Sequence, residues 1–391
     1  MVMQETVPPG RALNHPAIGI RLVIHGPELI DSGKIADIVD ALRALGPFRV
    51  LAGGTMARVA ALDKHLTFVD TSQNIHTSDA LNHVSDKEVL VLANCGKTSE
   101  TGRVFGQIVS SRVRRSVIHV ERPGLIDGSV ILWRGADGDT SRDVQYVARH
   151  LSDRLSLKLV KKHKRELSVE QTDEVVTRHI YGARLGEPLL VQGMVVGTVV
   201  DEDVAVIVQR GRIVDIAGVA TKAHGLEKIG NIDLSTAYVK TGHLRASNEA
   251  CVQRSMVPAR PLQRGSVTFV NHRADETLES VNETTICAIT VGDDTTSICG
   301  DILSRAGIPI IGITDGDGDG LYKSACEVEG SRVLRLGNAS DDDIGFLLEQ
   351  SGEFDDEDYA LATVIEIVTS FLRETGVEFD SILRTKNELD W

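Results

Sequence analysis

A chain of 391 residues is longer than one hydrophobic core ordinarily organises, so it should fold as more than one unit. Its 42% hydrophobic and 25% charged residues are those of a globular protein, whereas a 4% aromatic content and a net charge of -14 argue against a base-stacking nucleic-acid platform. Five dispersed cysteines, Cys95, Cys251, Cys287, Cys299 and Cys326, contain no Cys-x-x-Cys pair, which disfavours a disulfide framework and a structural zinc site. Met1 to Pro16 lacks a basic region followed by an apolar core, and no run reaches membrane-spanning length. A cytoplasmic protein with no membrane partner is therefore expected.

Taken in chain order, residues 17–140 alternate strand-like and amphipathic segments: Ile18 to His25, Ile35 to Leu45, Phe48 to Leu51, Val89 to Asn94, Val104 to Arg112 and Ser116 to Val120. Such alternation predicts right-handed crossovers and a parallel sheet, a Rossmann-like α/β domain whose loops at the strands' carboxyl ends form the site. Residues 141–186 look like a helical connector, with Lys161-Lys-His-Lys-Arg165 as a solvated face. Residues 187–262 read as a small β-rich middle domain, from Val191 to Val200, Val204 to Val208, a turn at Arg210-Gly-Arg212 and Ile213 to Ile216. Residues 263–391 return to α/β alternation. Strands are expected at Ser266 to Val270, Thr284 to Val291, Ile308 to Ile313 and Cys326 to Leu336, with helices at Thr295 to Arg305, after Ser340-Asp-Asp-Asp343, and at Asp355 to Glu374. The fold class is thus α/β, with a parallel-sheet N-terminal domain, a β-rich middle segment and a C-terminal α/β domain.

The sharpest chemical signal is Thr314-Asp-Gly-Asp-Gly-Asp-Gly320, in which Asp315, Asp317 and Asp319 follow a buried-strand pattern. Carboxylates at this density repel one another unless a hard cation sits among them. Asp293 and Asp294, after the preceding strand, should emerge at the same sheet edge and could join a single or binuclear Mg²⁺ site; read blandly, they cap the following helix. Such an ion would neutralise a phosphate or activate water.

Two further segments could hold an anion. Gly96-Lys97-Thr98 offers amides, an ammonium and a hydroxyl at a helix start, but its spacing fails the phosphate-loop pattern, and a Ser/Thr-capped helix is the equal alternative. Cys95 beside Lys97 raises the prospect of a lowered thiol pKa. Between Lys240 and Arg273 the charge inverts: Arg245, Arg254, Arg260 and Arg264, with His243 and His272, face one acid, Glu249. This segment suits a phosphate, a surface charge balance or an oligomer contact. His25 and Glu28, at the end of the first strand, are a candidate acid/base pair or a structural turn.

The DxDxDG run after its strand resembles the acidic motif of the Toprim domain, which holds Mg²⁺ in topoisomerases, primases and small nucleases. That family places glutamate at the end of its first strand, whereas this chain has Gly292-Asp-Asp294. The whole set, His25-Gly-Pro-Glu-Leu-Ile-Asp-Ser-Gly33, Gly53-Gly-Thr-Met56, Gly96-Lys-Thr-Ser-Glu-Thr-Gly-Arg103, Val291-Gly-Asp-Asp-Thr-Thr296 and Gly312-Ile-Thr-Asp-Gly-Asp317, resembles an uncharacterised family of methanogenic archaeal proteins carrying a domain of unknown function. That resemblance implies an archaeal cytoplasmic protein and brings no reaction with it. The residues themselves favour a Mg²⁺-dependent enzyme acting on a phosphorylated small molecule or nucleotide. A non-catalytic nucleotide- or metal-binding regulatory protein, itself open to homo-oligomer formation, is the second reading, and a Toprim-like nuclease the third.

Overall fold

In the computed structural model the described residues are 18–72, 75–82, 88–135, 141–163, 170–172, 175–235, 237–242, 259–272, 274, 277–278, 280–316, 328–354 and 358–382. They form two compact units, residues 1–170 and 171–391.

The first unit runs β1 (Ile20–His25), α1 (Glu28–Asp31), α2 (Lys34–Arg43), β2 (Phe48–Gly53), α3 (Thr55–Asp63), β3 (Val69–Asp70), α4 (Thr77–Asn82), β4 (Val89–Asn94), α5 (Ser99–Ser111), β5 (Val117–Glu121), β6 (Ser129–Arg134), α6 (Arg142–Arg154) and β7 (Lys158–His163). The strands make one sheet in the order β3-β2-β1-β4-β5-β6-β7, parallel from β3 to β5, with β6 antiparallel to β5. Strands covered on both faces need apolar side chains in both directions, and β4 is buried at every position. On one face α1, α2, α3 and α6 pack against Ile20, Leu22 and Ile24 of β1; on the other, α4 and α5 pack against Val23, Leu90 and Leu92. The chain leaves β1 toward β2 and later returns to its other side at β4, so the β1/β4 carboxyl ends are the topological switch point.

The expected connector at 141–186 is not a linker. The apolar stripe Val144, Val147, Ala148 and Leu151 docks α6 into the first core, and β7 pairs with β6 in parallel register from Ser129/Lys158 to Arg134/His163. The charge that suggested a connector belongs to an edge strand, on which Lys158, Lys161 and His163 are exposed.

The second unit opens with β8 (Glu170–Thr172), β9 (Val175–Ile180), β10 (Pro188–Val191), β11 (Met194–Val199), β12 (Val204–Gln209), β13 (Arg212–Ala217), β14 (Val219–Thr221), α7 (Ala223–Glu227) and β15 (Val239–Thr241). Two four-stranded sheets, β14-β11-β10-β15 and β13-β12-β9-β8, share one apolar core that includes Leu189, Val196, Val206 and Ile216. The β-rich region therefore begins near residue 170 rather than 187. Its β12–β13 hairpin turns at Arg210-Gly211, both at positive φ, where the sequence suggested.

Next come β16 (Ser266–Asn271), β17 (Thr285–Val291), α8 (Asp293–Ser304), β18 (Ile310–Thr314), β19 (Arg332–Leu336), α9 (Asp341–Gln350), α10 (Leu361–Glu374) and β20 (Phe379–Ile382). Their sheet follows chain order, β16-β17-β18-β19-β20, parallel except for β20. The last long helix starts at Leu361 rather than Asp355, because Tyr359 pairs with Gly265 in a β-bridge. Gly345 of α9 lies so close to β17 that a Cβ there would sit 2.6 Å from Val291. That approach holds the start of α9 against the strand whose end carries Asp293.

Candidate functional site

The carboxyl edge of the C-terminal sheet gathers groups from four places. Asp293 opens α8 directly after β17; Asp315 follows β18; Asp341 and Asp342 open α9; His272 follows β16. Parallel strand polarity places the first, second and last of these at one edge, and the packing of Gly345 on Val291 draws in the third. One ligand oxygen each from Asp293, Asp315 and Asp341 lies within 4.8 Å of the others. His272, Asp341 and Asp342 form a second set under the same limit. Asp341 is buried, at 5% exposure, and the other members of both sets are half-buried.

The loops that carry these groups are braced locally. Asp293 Oδ2 accepts a hydrogen bond of 2.9 Å from the Gly316 amide, tying the β17 and β18 loops together. Lys228, just after α7 in the β-rich region, donates from Nζ to Asp342 Oδ1 at 2.6 Å and stands 3.1 Å from His272 Nε2. His272 Nε2 also contacts Asp342 Oδ1 closely. The His272 backbone is left-handed, with φ 57°, uncommon for a residue with a Cβ, and it sets the ring beside Gly292. A Cβ placed on Gly316 would fall 2.4 Å from Arg335 Nη2, so the β19 guanidinium flanks the Asp315 loop. The edge thus combines oxygen ligands for a hard cation with an ammonium, an imidazole and a guanidinium able to meet an anion.

Of the acids expected here, Asp293 and Asp315 converge, and the half-buried Asp294 lies outside their triad. Asp317 and Asp319 fall outside the described residues, as do Arg245, Arg254, Arg273 and His243. Arg260 and Arg264 stand at the opposite edge. Arg260 donates to the Ala306 and Asn282 carbonyls, in the loops entering β18 and β17, each at 3.0 Å. Arg264, just before β16, pairs with Asp358 at 2.9 Å. Strand polarity alone could have separated them from the acids, since both precede the strand that begins at Ser266.

In the sequence Asp341 and Asp342 mark only a helix start, and nothing there singles out Lys228 or Arg335. The first two do occupy the first turn of α9, where the helix dipole favours carboxylates, so their signal was ambiguous. Lys228 had no local signal.

The first unit's switch point holds the remaining candidates. Thr98 is the N-cap of α5, with a reciprocal capping box to Thr101, which is the helix-start reading of this segment. The Gly96 amide is taken by Glu121 Oε1 at 2.6 Å, and Asn94 Nδ2 donates to Glu121 Oε2 at 2.7 Å. Lys97 is exposed beside them. His25 Nδ1 lies 3.1 Å from Thr77 Oγ1, and its ring stacks on Phe105 with centroids 4.0 Å apart. Loss of hydration raises the Glu28 carboxyl above its ordinary range, opposed by a backbone hydrogen bond and reinforced by Asp31 and Glu121. The Cys95 thiol is also pushed up, first by burial and then by the charge of Glu121, the reverse of the shift that Lys97 suggested. Beneath α5, His119 and Glu121 are fully buried, with Nε2 2.9 Å from Oε2 but off the hydrogen-bonding line. Gly102 and Gly106 admit this pair: a Cβ on either would lie 1.9 Å from Glu121 Oε1 or 2.1 Å from His119 Nδ1.

Fold and site together define a mixed α/β protein with a doubly wound first unit and a carboxylate-rich sheet edge in the second. The chain belongs to the family described as an uncharacterised protein conserved in archaea (DUF2117), which matches residues 22–355. It is 39% identical over 336 residues to the uncharacterised protein MJ0065 of Methanocaldococcus jannaschii, an alignment covering 85% of this chain and 91% of that protein. The expected archaeal family is therefore the one found, and the Toprim resemblance gains no support from these matches. Among the described residues no helix is long and apolar enough to cross a membrane.

Proposed function

We propose that the C-terminal sheet edge binds a divalent cation, Mg²⁺ foremost, through Asp293, Asp315 and Asp341, and uses it to engage a phosphorylated small molecule or nucleotide. The observation that carries this reading is the approach within 4.8 Å of three carboxylate oxygens from separate chain segments, one of them on a buried residue. Burying carboxylates side by side is costly unless positive charge joins them, and oxygen-only ligands suit a hard cation. Asp317 and Asp319 are close enough in sequence to contribute further oxygens. The ion would neutralise a phosphate or polarise water for in-line attack. Lys228, His272 and Arg335 are the nearby cationic or hydrogen-bonding groups suited to phosphate, in place of Arg260 and Arg264.

A non-catalytic, ligand-responsive protein is the second reading. It is favoured by the Lys228 contacts, through which a ligand at this edge would touch the β-rich region of the same unit. Thermal unfolding of wild type and the Asp293→Asn/Asp341→Asn variant with Mg²⁺, Mn²⁺ or Ca²⁺, with and without nucleotides and sugar phosphates, tests the site. A metal-dependent rise in Tm confined to wild type is expected; equal curves for the two proteins would overturn the metal reading. Phosphate release from the stabilising ligand then separates an enzyme from a sensor.

A further inference from the structure

We propose that the same edge has a second cation position, formed by His272, Asp341 and Asp342 and selective for a softer divalent ion such as Co²⁺ or Zn²⁺, with Asp341 shared between the two ions. It rests on the function proposed above through that shared carboxylate, and it gives His272 and Lys228 a role at the metal in place of the phosphate contact named for them there. The ligand atoms of the two sets each fall within 4.8 Å, and Asp341 belongs to both. Two-metal sites hold their ions about 3.5–4 Å apart, a spacing that a common carboxylate can span. A ring nitrogen in the set moves the preference from Mg²⁺ toward ions that favour imidazole.

An independent observation comes from what already occupies the position. The Lys228 ammonium sits 2.6 Å from Asp342 Oδ1 and 3.1 Å from His272 Nε2, so these two groups already hold positive charge. Nε2 nevertheless faces conflicting neighbours. As a donor it satisfies Asp342 but turns its proton toward an ammonium. As an acceptor it satisfies Lys228 but turns its lone pair toward a carboxylate oxygen. A metal ion taking the place of the Lys228 ammonium would satisfy Nε2 and Oδ1 together, with the neutral imidazole that metal ligation requires. Lys228, at the end of a flexible side chain, then acts as a displaceable internal competitor, linking metal loading to release of this contact from the β-rich region.

The test uses the full chain, stripped with chelator and dialysed against Co²⁺, with bound metal measured by elemental analysis and nitrogen ligation by the visible spectrum. Wild type should bind two ions with distinct affinities. His272→Gln should bind one and lose the nitrogen-ligand band, whereas Asp293→Asn should bind one and keep it. Lys228→Met, which removes the competitor, should bind the second ion about tenfold more tightly, a gain equal to about 1.4 kcal/mol. Asp342→Asn should repeat the loss seen for His272→Gln and replaces it should that variant not fold. One ion in wild type, lost in Asp293→Asn and unchanged in His272→Gln and Lys228→Met, would overturn the second position and leave the first standing. Binding lost in His272→Gln and retained at full wild-type level in Asp293→Asn would do the reverse, and no binding by wild type or Lys228→Met would remove both.

Discussion

The two parallel sheets of this protein end in carboxylates of opposite character. At the first, Glu121 is enclosed beneath α5 and accepts hydrogen bonds from Asn94 and Gly96, so its charge secures the loop that follows β4. At the second, Asp293, Asp315 and Asp341 face one another across converging loops. The same topological rule brings acids to both edges. What differs is the grouping: Glu121 is enclosed by the donors of its own loop, whereas at the second edge three carboxylate oxygens approach within 4.8 Å of one another, the arrangement on which the proposed cation site rests.

The contrast can be broken most forcefully at the first edge. Gly106→Val would drive a side chain into His119 and should destabilise the first unit by about 3 kcal/mol, the upper range for overpacking, seen as a lower urea midpoint. Glu121→Gln keeps the shape but loses the charge that accepts from the Gly96 amide and Asn94. A loss of about 2 kcal/mol is expected in the same measurement. At the second edge the sign should invert: Asp315→Asn should stabilise the metal-free protein by about 1 kcal/mol, the low end of the Coulomb range for partly solvated charges at this separation. Destabilisation by Asp315→Asn in chelator would erase the proposed distinction.

The smallest effect concerns Glu28. Its carboxyl is raised in the folded protein from an ordinary 4.5, so the fold binds its proton more tightly than the unfolded chain does. That contribution is fully present below pH 4.5 and is lost as pH rises through the higher folded value. Glu28→Gln should therefore match wild type under acidic conditions and gain slightly on it at neutral pH. Parallel pH–stability curves for the two proteins would show that Glu28 carries no such penalty.

The strands were the most legible part of the sequence. Val89–Asn94, Thr285–Val291 and Ile310–Thr314 are buried at every position, and burial on both faces writes itself as an unbroken apolar run. Asp293 and Asp315 were legible as partners because parallel strands send consecutive loops to one edge. Asp341 was not, because its place depends on the contact of Gly345 with Val291, a long-range fit that no local pattern records. Clustering along the chain also misled where direction mattered: Arg260 and Arg264 are near His272 in sequence, yet they enter the strand that His272 leaves. The charged segment containing α6 and β7 hid a helix and a strand because one buries only a narrow stripe and the other lies at the sheet's margin.

That margin has a consequence for how the protein behaves in a crowd. Among the described residues β7 pairs with β6 alone, and a free strand flank is the kind of template on which sheets from separate molecules join and grow. A second copy pairing antiparallel about Val160 would bring Lys158 against Lys162 of its twin at strand spacing, where like charges repel and lysine is costly to dehydrate. A protein with net charge -14 thus carries a short positive guard where uncontrolled polymerisation would otherwise begin.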